Sequence, residues 1–392
     1  MIANPPLNNF NHELEELKRL NLERTLRVIQ SQQDTEITIN GKKVILLCSN
    51  NYLGLANSPL LKKAAIEAIK KYGTSSSASR LISGNMILHE ELEERIKNFK
   101  KTEAALLFNS GYHANTGVIP AIVGKEDLIL SDELNHASII DGCRLSKAEV
   151  IIYPHRDANY VEMVLKKSKH PKKLIVTDGV FSMDGDISPL PELAFLKEKY
   201  HALLMVDEAH ATGVIGSNGR GIVDYFNLNN SVDIIMGTFG KALGSFGAFV
   251  ATTKIMKKYL INKARSLIFS TSLPPHICAT SIKAIEIISK NPRLIKKLHT
   301  NVEFVKSELK NLFPQIPNNE IPIIPLIIGN EKQTMKICEK LLKEGLYIQG
   351  LRPPSVPSKT SRLRMTVMAT HTHEQLNRAI SVIKGIFNSL RI

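Results

Sequence analysis

Lys241 is the residue whose type and surroundings most clearly indicate chemistry. It stands in a glycine-rich turn, Gly237–Gly244, after the apolar run Ile234–Met236. Glycine permits positive φ angles and close approach of a ligand to the backbone. A lysine that is partly buried among apolar residues has a lowered pKa and reacts with aldehydes. The turn is not a Walker A loop, because Ala242 follows the lysine and the glycine spacing differs. The alternative interpretation is an unreactive lysine in a surface loop.

A carboxylate that could complement this lysine ends another apolar run. Leu203–Val206 is followed directly by Asp207, and His210 comes three residues later. A carboxylate at the end of a buried strand can pair with a protonated ring nitrogen and keep a pyridine ring cationic, so that the ring accepts electrons. The competing interpretations are that Asp207 caps the next helix and that His210 is structural.

Three further segments place small or polar residues after apolar runs: Asn109–Asn115, Asn135–Ser138 and Asp178–Asp186. The first opens a predicted helix, whose free backbone N–H groups and dipole favour a phosphate. His136 offers a flat imidazole face that could stack on an aromatic cofactor, and Ser182 offers a hydroxyl. Taken singly, each segment is also explained as a turn whose polar groups bond to the backbone.

Together these segments supply an aldehyde-reactive amine at Lys241, a ring-nitrogen partner at Asp207, a stacking imidazole at His136, hydroxyl donors and a phosphate site. Pyridoxal 5′-phosphate (PLP) is the common cofactor that needs this set of groups. We therefore predict that the chain binds PLP covalently through Lys241. No metal site is predicted, because the four cysteines form no CxxC pair.

The elements that must position these residues alternate between strand and helix. The strand candidates are Ala104–Phe108, Asp127–Leu130, Val150–Tyr153, Lys173–Thr177, Ala202–Val206, Ile234–Met236 and Ala248–Ala251. Helical patterns such as Pro191–Tyr200 separate most of them. This alternation predicts an α/β fold with a mostly parallel central sheet and helices on both faces. Ligands bind such sheets at the carboxyl ends of the strands, where the polar segments fall.

The ends of the chain have a different character from its middle. An amphipathic helix is predicted over residues 11–30, followed by a strand pair in Thr35–Leu47 that turns at Asn40-Gly41. After Leu273 the pattern changes to long helices and a few strands. We predict three parts: an N-terminal helix with short strands (1–50), a large cofactor-binding α/β domain (51–275) and a small C-terminal α+β domain (276–392).

The composition is that of an ordinary globular protein with excess positive charge. Hydrophobic residues make up 43% and charged residues 22%, and the formal net charge is +14. The lysines are scattered and no aromatic residues are interleaved with them, so a nucleic-acid-binding protein is a remote alternative. The N-terminus has no apolar signal core, and no stretch reaches the roughly 20 apolar residues of a membrane span. A cytoplasmic protein is expected.

With these motifs in view, the sequence resembles the α-oxoamine synthases, a family of fold-type I PLP enzymes, over nearly its whole length. The resemblance is carried by Ser49–Leu55, Asn135–Ser138, Asp178–Gly185, Val206–His210, Gly237–Lys241 and Leu351–Pro357 with Ser361–Arg364. It implies a PLP-dependent acyltransferase that condenses an amino acid with an acyl thioester and releases CO₂. The double proline Pro353-Pro354 favours L-alanine and a pimeloyl thioester. The alternatives within the family are glycine with acetyl-CoA or another α-oxoamine synthase, which would use serine with a long acyl chain or glycine with succinyl-CoA.

The resemblance also implies a role for individual residues. Lys241 would hold PLP and move the Cα proton, Asp207 would pair with the pyridine nitrogen, and His136 would stack on the ring. The other expected cofactor contacts are Gly111, Tyr112, Ser182, His210 and Thr238, with Ser270 and Thr271 supplied by the partner subunit of a homodimer. The expected substrate contacts are Arg24, Asn50, His136, Arg352 and Ser355. Arg352 would bind the amino-acid carboxylate, and Arg24, or nearby Arg27, would meet the acyl substrate.

The resemblance leaves the acyl donor open between a CoA and a carrier-protein thioester. Excess positive charge on the enzyme would attract either an anionic CoA or an acidic carrier protein. We expect no nucleic-acid partner and no membrane partner.

Overall fold

The structure is a computed structural model and describes residues 5–390. Residues 1–4 and 391–392, which belong to the predicted terminal parts, lie outside the described residues. The strands are β1 (Glu36–Ile39), β2 (Lys42–Leu46), β3 (Ala104–Phe108), β4 (Leu128–Asp132), β5 (Glu149–Tyr153), β6 (Lys173–Asp178), β7 (Leu203–Asp207), β8 (Ile234–Thr238), β9 (Ala248–Thr252), β10 (Ile323–Gly329), β11 (Leu346–Tyr347), β12 (Gln349–Leu351) and β13 (Ser361–Thr366).

The helices surround these strands and fill most of the sequence between them. They are α1 (Pro5–Arg19), α2 (Pro59–Tyr72), α3 (Ile87–Lys100), α4 (Gly111–Ile122), α5 (Ala137–Ser146), α6 (Ala158–Lys167), α7 (Leu190–Lys199), α8 (Ile222–Tyr225), α9 (Lys254–Lys263), α10 (Arg265–Ile268), α11 (Pro275–Lys290), α12 (Pro292–Leu309), α13 (Glu331–Lys343) and α14 (His373–Leu390). Within residues 5–390, none of them combines the length and the apolar character that crossing a membrane requires.

A seven-stranded sheet forms the centre of the molecule, in the order β3-β9-β8-β7-β6-β4-β5. The five strands from β8 to β5 run parallel, whereas β9 is antiparallel to both of its neighbours. All residues of β3, β4 and β9 are buried, because helices cover both faces of the sheet. The predicted α/β fold and its mostly parallel sheet are confirmed, and each of the predicted strands is present within two residues of its expected ends.

The two ends of the chain meet in a smaller sheet. Strands β1 and β2 form the predicted hairpin, with Asn40 and Gly41 at φ angles of 50° and 73°, and β2 pairs in parallel with β11. A second small sheet has the order β10-β13-β12. The N-terminal strands therefore share a sheet with a C-terminal strand. The boundaries of the predicted three-part division remain a prediction.

The first helix is shorter than the sequence pattern predicts. It ends at Arg19 rather than near residue 30. Asn21 has a φ of 57°, and the amide of Leu22 donates to the carbonyl of Leu17 at 2.8 Å. A left-handed residue followed by such a backward hydrogen bond closes a helix. The chain beyond this point runs without regular structure to β1.

Candidate active site

The carboxyl ends of three adjacent parallel strands carry the central polar groups. Asp178 ends β6, Asp207 ends β7 and Thr238 ends β8. Asp178 and Asp207 stand opposite each other in the register of the two strands, and Lys241 lies in the turn that follows β8. The structure thus brings together residues that are far apart in the sequence, at the sheet edge where ligands of α/β proteins bind.

The turn after β8 directs Lys241 into the site. Gly244 has a φ of 63°, and a Cβ at this position would lie 2.5 Å from the backbone nitrogen of Ala56, so the turn requires glycine here. The Nζ of Lys241 lies 2.7 Å from Nε2 of His210. Burial lowers the pKa of Lys241 to about 8, although the nearby carboxylates of Asp207 and Asp178 oppose the shift. The alternative of an unreactive surface lysine does not fit these contacts.

His210 connects the lysine to a buried tyrosine. Its Nδ1 lies 2.7 Å from the hydroxyl of Tyr52, a residue with no exposed surface. Burial, reinforced by the positive charge of Lys241, holds the pKa of His210 well below its usual value. The imidazole is therefore neutral at physiological pH, and it links the lysine and tyrosine through hydrogen bonds.

Asp207 is held by hydrogen bonds on both of its oxygens. Oδ2 accepts from the side-chain amide of Asn115 at 2.9 Å, and Oδ1 accepts from the backbone amide of Ala209 at 2.9 Å. Asn115 is completely buried in α4, and its amide also donates to the hydroxyl of Ser138 at 2.9 Å. These bonds orient the carboxylate at the strand end, and the Ala209 bond is the kind of local cap that the sequence also allowed.

His136 caps the helix that follows β4. Its backbone amide donates to Oδ2 of Asp178 at 2.7 Å, and its Nδ1 accepts from the amide of Ser138 at 3.2 Å. Burial lowers the pKa of the imidazole, which lies near the charges of Asp207 and Lys241. A flat, neutral ring therefore lines a cleft of about 650 Å³, together with Ser182 and the segment Pro353–Ser358.

The expected phosphate end lies at the start of α4. Ser110 caps this helix, because its hydroxyl accepts from the amide of His113 at 3.1 Å, and Gly111 and Tyr112 form the first turn. Thr238 accepts from the amide of Gly240 at 3.2 Å. The unpaired amides of a helix start and a nearby hydroxyl are suitable partners for a phosphate.

Ser270 and Thr271 lie beside the same helix start in their own subunit. The carbonyl of Thr271 accepts from the side-chain amide of Asn109 at 2.7 Å, and Thr271 forms an isolated β-bridge with Ser79. This loop is therefore fixed to the protein, which would allow it to present hydroxyl groups to a second subunit. Its role in binding phosphate remains a prediction.

Arg24, Arg352 and Ser355 line a second cleft, of about 380 Å³. A guanidinium nitrogen of Arg24 donates to the hydroxyl of Ser355 at 3.3 Å. Arg352 donates to the carbonyl of Glu23, and its buried Nε has no hydrogen-bond partner among the described residues. Ser355 lines the clefts of both His136 and Arg352. The structure thus brings Arg352 together with Arg24 and Ser355.

Arg364 is a candidate site residue to which the sequence analysis assigns no role. Its Nε donates to the carbonyl of Ser182 at 2.5 Å, and Nη2 donates to Oδ1 of Asn50 at 3.1 Å and to the hydroxyl of Tyr52 at 3.3 Å. Its positive charge lies near enough to lower the pKa of Lys241. Arg364 stands in the segment Ser361–Arg364, which carries part of the family resemblance.

Asp178, Asn115 and Tyr52 were also overlooked as site residues, although each stands in a segment that the sequence analysis singled out. They act as partners of the predicted residues: Asp178 of His136, Asn115 of Asp207, and Tyr52 of His210. A single sequence shows which residues follow a strand, but it does not show which of them touch one another.

The groups present fit PLP. A buried carboxylate at Asp207, an amine of lowered pKa at Lys241 and a neutral imidazole at His136 converge on one site. The first turn of α4 supplies amides for a phosphate. These are the partners that a pyridine nitrogen, an aldehyde, an aromatic face and a phosphate need.

Comparison with known proteins places this site in a family. The model of the aminotransferase class I and II family matches residues 42–383. The chain is 50% identical over 390 residues to the 8-amino-7-oxononanoate synthase of Geotalea daltonii, covering 98% of this chain and 99% of the relative. It is 49% identical over 383 residues to that of Geobacter sulfurreducens, covering 97% and 98%.

The fold has close counterparts among solved structures. A variant of serine palmitoyltransferase from S. paucimobilis, solved with a bound PLP–myriocin aldimine, superposes with a TM-score of 0.92 at 30% identity and covers 99% of both chains. The predictions of a fold-type I PLP enzyme and of its cofactor are thereby confirmed. The chain belongs to the aminotransferase class I and II family and, within it, to the group of the 8-amino-7-oxononanoate synthases.

Proposed function

We propose that this protein condenses L-alanine with a pimeloyl thioester to form 8-amino-7-oxononanoate, CO₂ and a free thiol, in biotin biosynthesis. The observation that carries this proposal is the identity of about half of all residues, over nearly the full chain, with curated 8-amino-7-oxononanoate synthases. A new C–C bond joins the alanine Cα to the acyl carbon, the thiolate leaves, and the carboxyl group departs as CO₂. We also propose a cytoplasmic location, where acyl thioesters of CoA or of a carrier protein would be available as the substrate.

Lys241 is proposed to hold the cofactor and to move the Cα proton. PLP, when bound, supplies an aldehyde that links to amines and a cationic ring that accepts the electron pair left on Cα. A catalytic base works best when its pKa lies near the working pH, and the pKa of Lys241 is lowered to about 8. The neutral His210 at 2.7 Å is well placed to accept a hydrogen bond from the lysine and so to orient its amine.

Asp207 and His136 are proposed to fix the electronic state and the plane of the ring. The bonds from Asn115 and Ala209 hold the Asp207 carboxylate in one orientation, which supports its pairing with a ring N–H. His136 is fixed through its backbone bond to Asp178. Its flat face therefore offers a stacking surface. The proposed cofactor contacts of Gly111, Tyr112, Ser182 and Thr238 rest on their positions at the same sheet edge.

We place the amino-acid carboxylate at Arg364 and the acyl donor at Arg24 and Arg352. Arg364 lies beside Asn50 and Tyr52, near Lys241, so a carboxylate on the reacting amino acid can reach its guanidinium. The cleft of Arg24 and Arg352 meets the His136 cleft at Ser355. A free carboxylate at the far end of a pimeloyl chain would suit these two arginines.

The active form is proposed to be a homodimer in which Ser270 and Thr271 reach the phosphate bound by the partner subunit. Two apolar side chains near this loop support the proposal, because Ile82 is 81% exposed and Phe269 is 70% exposed in the single subunit. Large exposed apolar groups beside a polar loop are typical of an interface. The acyl donor is a CoA or a carrier-protein thioester, and the excess positive charge suits both.

A substrate matrix tests the proposed function. Purified enzyme loaded with PLP is offered alanine, glycine or serine, each with pimeloyl-CoA, a pimeloyl carrier protein, acetyl-CoA or palmitoyl-CoA. Product and free thiol are measured together. We expect the highest kcat/KM for alanine with a pimeloyl thioester. Activity confined to glycine with acetyl-CoA would instead identify a 2-amino-3-ketobutyrate ligase and overturn the proposed substrate.

A further inference from the structure

His155, which follows β5, lies between two loops that each form a wall of the His136 cleft. One loop, Glu133–His136, connects β4 to α5, and the other, Phe181–Asp186, follows β6. Nδ1 of His155 lies 2.9 Å from Oδ1 of Asp132. Nε2 lies 2.7 Å from Oδ2 of Asp186. The imidazole thus bridges a carboxylate at the base of one wall and a carboxylate at the end of the other.

These contacts require a doubly protonated ring. A neutral imidazole has a single N–H, whereas both nitrogens of His155 face carboxylate oxygens, which only accept hydrogen bonds. The Asp132 side chain is fully buried and needs a positive partner, because burying an uncompensated carboxylate is costly. The other charges beside the pair are Arg156, 3.6 Å from Asp186, and Glu133, which accepts from the backbone amide of His155 at 2.9 Å.

We propose that His155, as an imidazolium, is a positioning residue that ties the two walls together and so fixes His136 and Ser182 relative to each other. It touches neither substrate nor cofactor in this role. This proposal rests on the proposed function in one respect: the cleft between the two walls is taken to bind the cofactor and the substrates.

The connection from His155 to the first wall runs through Asp132. The same Oδ1 that contacts His155 also accepts from the backbone amide of Leu134 at 2.9 Å. This bond shapes the turn that leads to His136, and Oδ2 accepts from the amide of Arg156 at 2.9 Å. Loss of the imidazolium leaves the buried Asp132 without a charged partner. The carboxylate would then turn towards water and release the turn.

The connection to the second wall runs through Asp186 and Phe181. The ring of Phe181 packs edge-on against His155, with 4.4 Å between centroids and an interplanar angle of 84°. The amide of Phe181 donates to the carbonyl of Asp186 at 3.0 Å. The next residue, Ser182, offers its carbonyl to Arg364. His155 therefore also supports the orientation of the arginine that we assign to the amino-acid carboxylate.

The experiment compares His155→Gln with the matched control His170→Gln. Glutamine keeps one donor but carries no charge and cannot bridge both carboxylates. His170 also contacts a carboxylate, Glu149, at 3.1 Å, but it does not line the cleft. Substrate KM and kcat, and hydrogen exchange of residues 133–136 and 181–186, are measured on the PLP-loaded protein. The ring nitrogens of His155 in the wild-type protein are titrated by ¹⁵N NMR.

We expect His155→Gln to raise KM for alanine by about tenfold and to speed exchange in both loops, while kcat changes by less than about threefold. His170→Gln should leave all these quantities unchanged. The wild-type NMR signal should show both ring nitrogens protonated at pH 7.5. A neutral His155 at that pH would overturn the proposal, and so would unchanged exchange and KM in His155→Gln. The NMR titration uses the wild-type protein, so it tests the charge on His155 even if the variant fails to fold. If the enzyme used none of the offered substrate pairs, hydrogen exchange and the NMR titration would still test the role of His155, because neither measurement needs a substrate.

Discussion

Asp178 and Asp207 stand side by side in the register of β6 and β7, so two buried carboxylates share the floor of the active site. Two such groups do not both ionise readily. Burial, reinforced by the negative charge of Asp207, raises the pKa of Asp178 well above its usual value. This shift makes Asp178 the carboxyl of the pair that takes up a proton more readily, and Asp178 holds His136 through a backbone hydrogen bond. Asp207, whose two oxygens both accept hydrogen bonds, is the carboxylate placed to pair with a cationic ring.

The different surroundings of Asp178 and Asp207 predict different results when each is replaced by asparagine. Asp207→Asn removes the charge that keeps the ring cationic and should lower kcat/KM by about 100-fold or more. Asp178→Asn replaces a carboxyl group of raised pKa by an amide whose oxygen can still accept from the His136 amide. It should lower kcat/KM by less than about threefold. Steady-state kinetics on both variants check the prediction, and equal losses would contradict it.

The lowered pKa of Lys241 predicts how fast the apoenzyme takes up its cofactor. The pKa falls from the usual lysine value of 10.5 to about 8, so the reactive neutral amine is present at a lower pH than in an exposed lysine. The rate of covalent PLP uptake should rise with pH and level off above a midpoint near 8. Absorbance of the bound cofactor and its bleaching by borohydride provide the measurement. Lys241→Ala should show no covalent uptake, and a wild-type midpoint near 10.5 would contradict the prediction.

Much of the fold could be predicted from the sequence because its signals are local. The strands β3 to β9 are short apolar runs bounded by turn residues, and each was placed within two residues of its ends. The end of α1 was missed because it depends on Asn21 in a left-handed conformation. Asparagine adopts that conformation only at some positions, and the apolar pattern continues past it, so the pattern alone predicts a longer helix.

The sequence predicts those site residues that directly follow a strand, but not the residues that join the site through long-range contacts. Lys241, Asp207, His136 and His210 could be singled out because each follows an apolar run. The structure brings them close together, and their roles stay predictions. The resemblance implies that Arg352 binds the amino-acid carboxylate, and a single sequence offers no signal that weighs Arg364, which stands in the same segment, against it. Strand β13 pairs between β10 and β12, and this long-range pairing brings Arg364 to Ser182.

The locations of the two arginines predict which substrate each variant affects. Arg364→Lys keeps the positive charge but loses the planar guanidinium group, whose nitrogens also donate to Ser182 and Asn50. This variant should raise KM for alanine by about 10- to 100-fold. Arg352→Lys should instead raise KM for the pimeloyl thioester and leave KM for alanine within about twofold. Kinetics with each substrate varied in turn provide the check. If Arg352→Lys raised KM for alanine alone, Arg352 would be the partner of the amino-acid carboxylate, as the family resemblance implies.

His371 predicts a loss of stability in mild acid. It is buried, its Nδ1 accepts from the amide of Met368 at 2.9 Å, and its Nε2 donates to the carbonyl of Leu46 at 3.1 Å. A proton on Nδ1 would break the first bond, and burial lowers the pKa of His371 to about 4. Because this folded-state pKa is lower than that of an unfolded histidine, its contribution is present above about pH 6.5 and declines as pH falls towards 4.

The expected size of this acid effect is roughly 2 kcal/mol of unfolding free energy by pH 5. Urea unfolding at pH 7 and pH 5 measures it, with His371→Gln as the test variant and the exposed His12→Gln as the control. The difference in stability between the two pH values should shrink by about this amount in His371→Gln alone. An equal pH dependence in both variants would show that His371 is not the source.

The proposed sharing of the phosphate site between subunits can be tested by complementation. Lys241→Ala removes the reactive amine but leaves Ser270 and Thr271 intact. The double variant Ser270→Ala, Thr271→Val keeps the lysine but lacks both hydroxyls. In a heterodimer of the two, the intact hydroxyls of the first chain would face the intact lysine of the second. One complete site would form, and about half of the wild-type activity per dimer should return.

The same heterodimer gives the opposite result if Ser270 and Thr271 serve their own subunit. One site would then lack the lysine and the other would lack the hydroxyls, so activity would not exceed that of the double variant alone. Co-expression with two different affinity tags isolates the heterodimer from both homodimers. Recovery of activity therefore depends on the hydroxyls crossing the interface, because no other arrangement of these substitutions assembles a complete site.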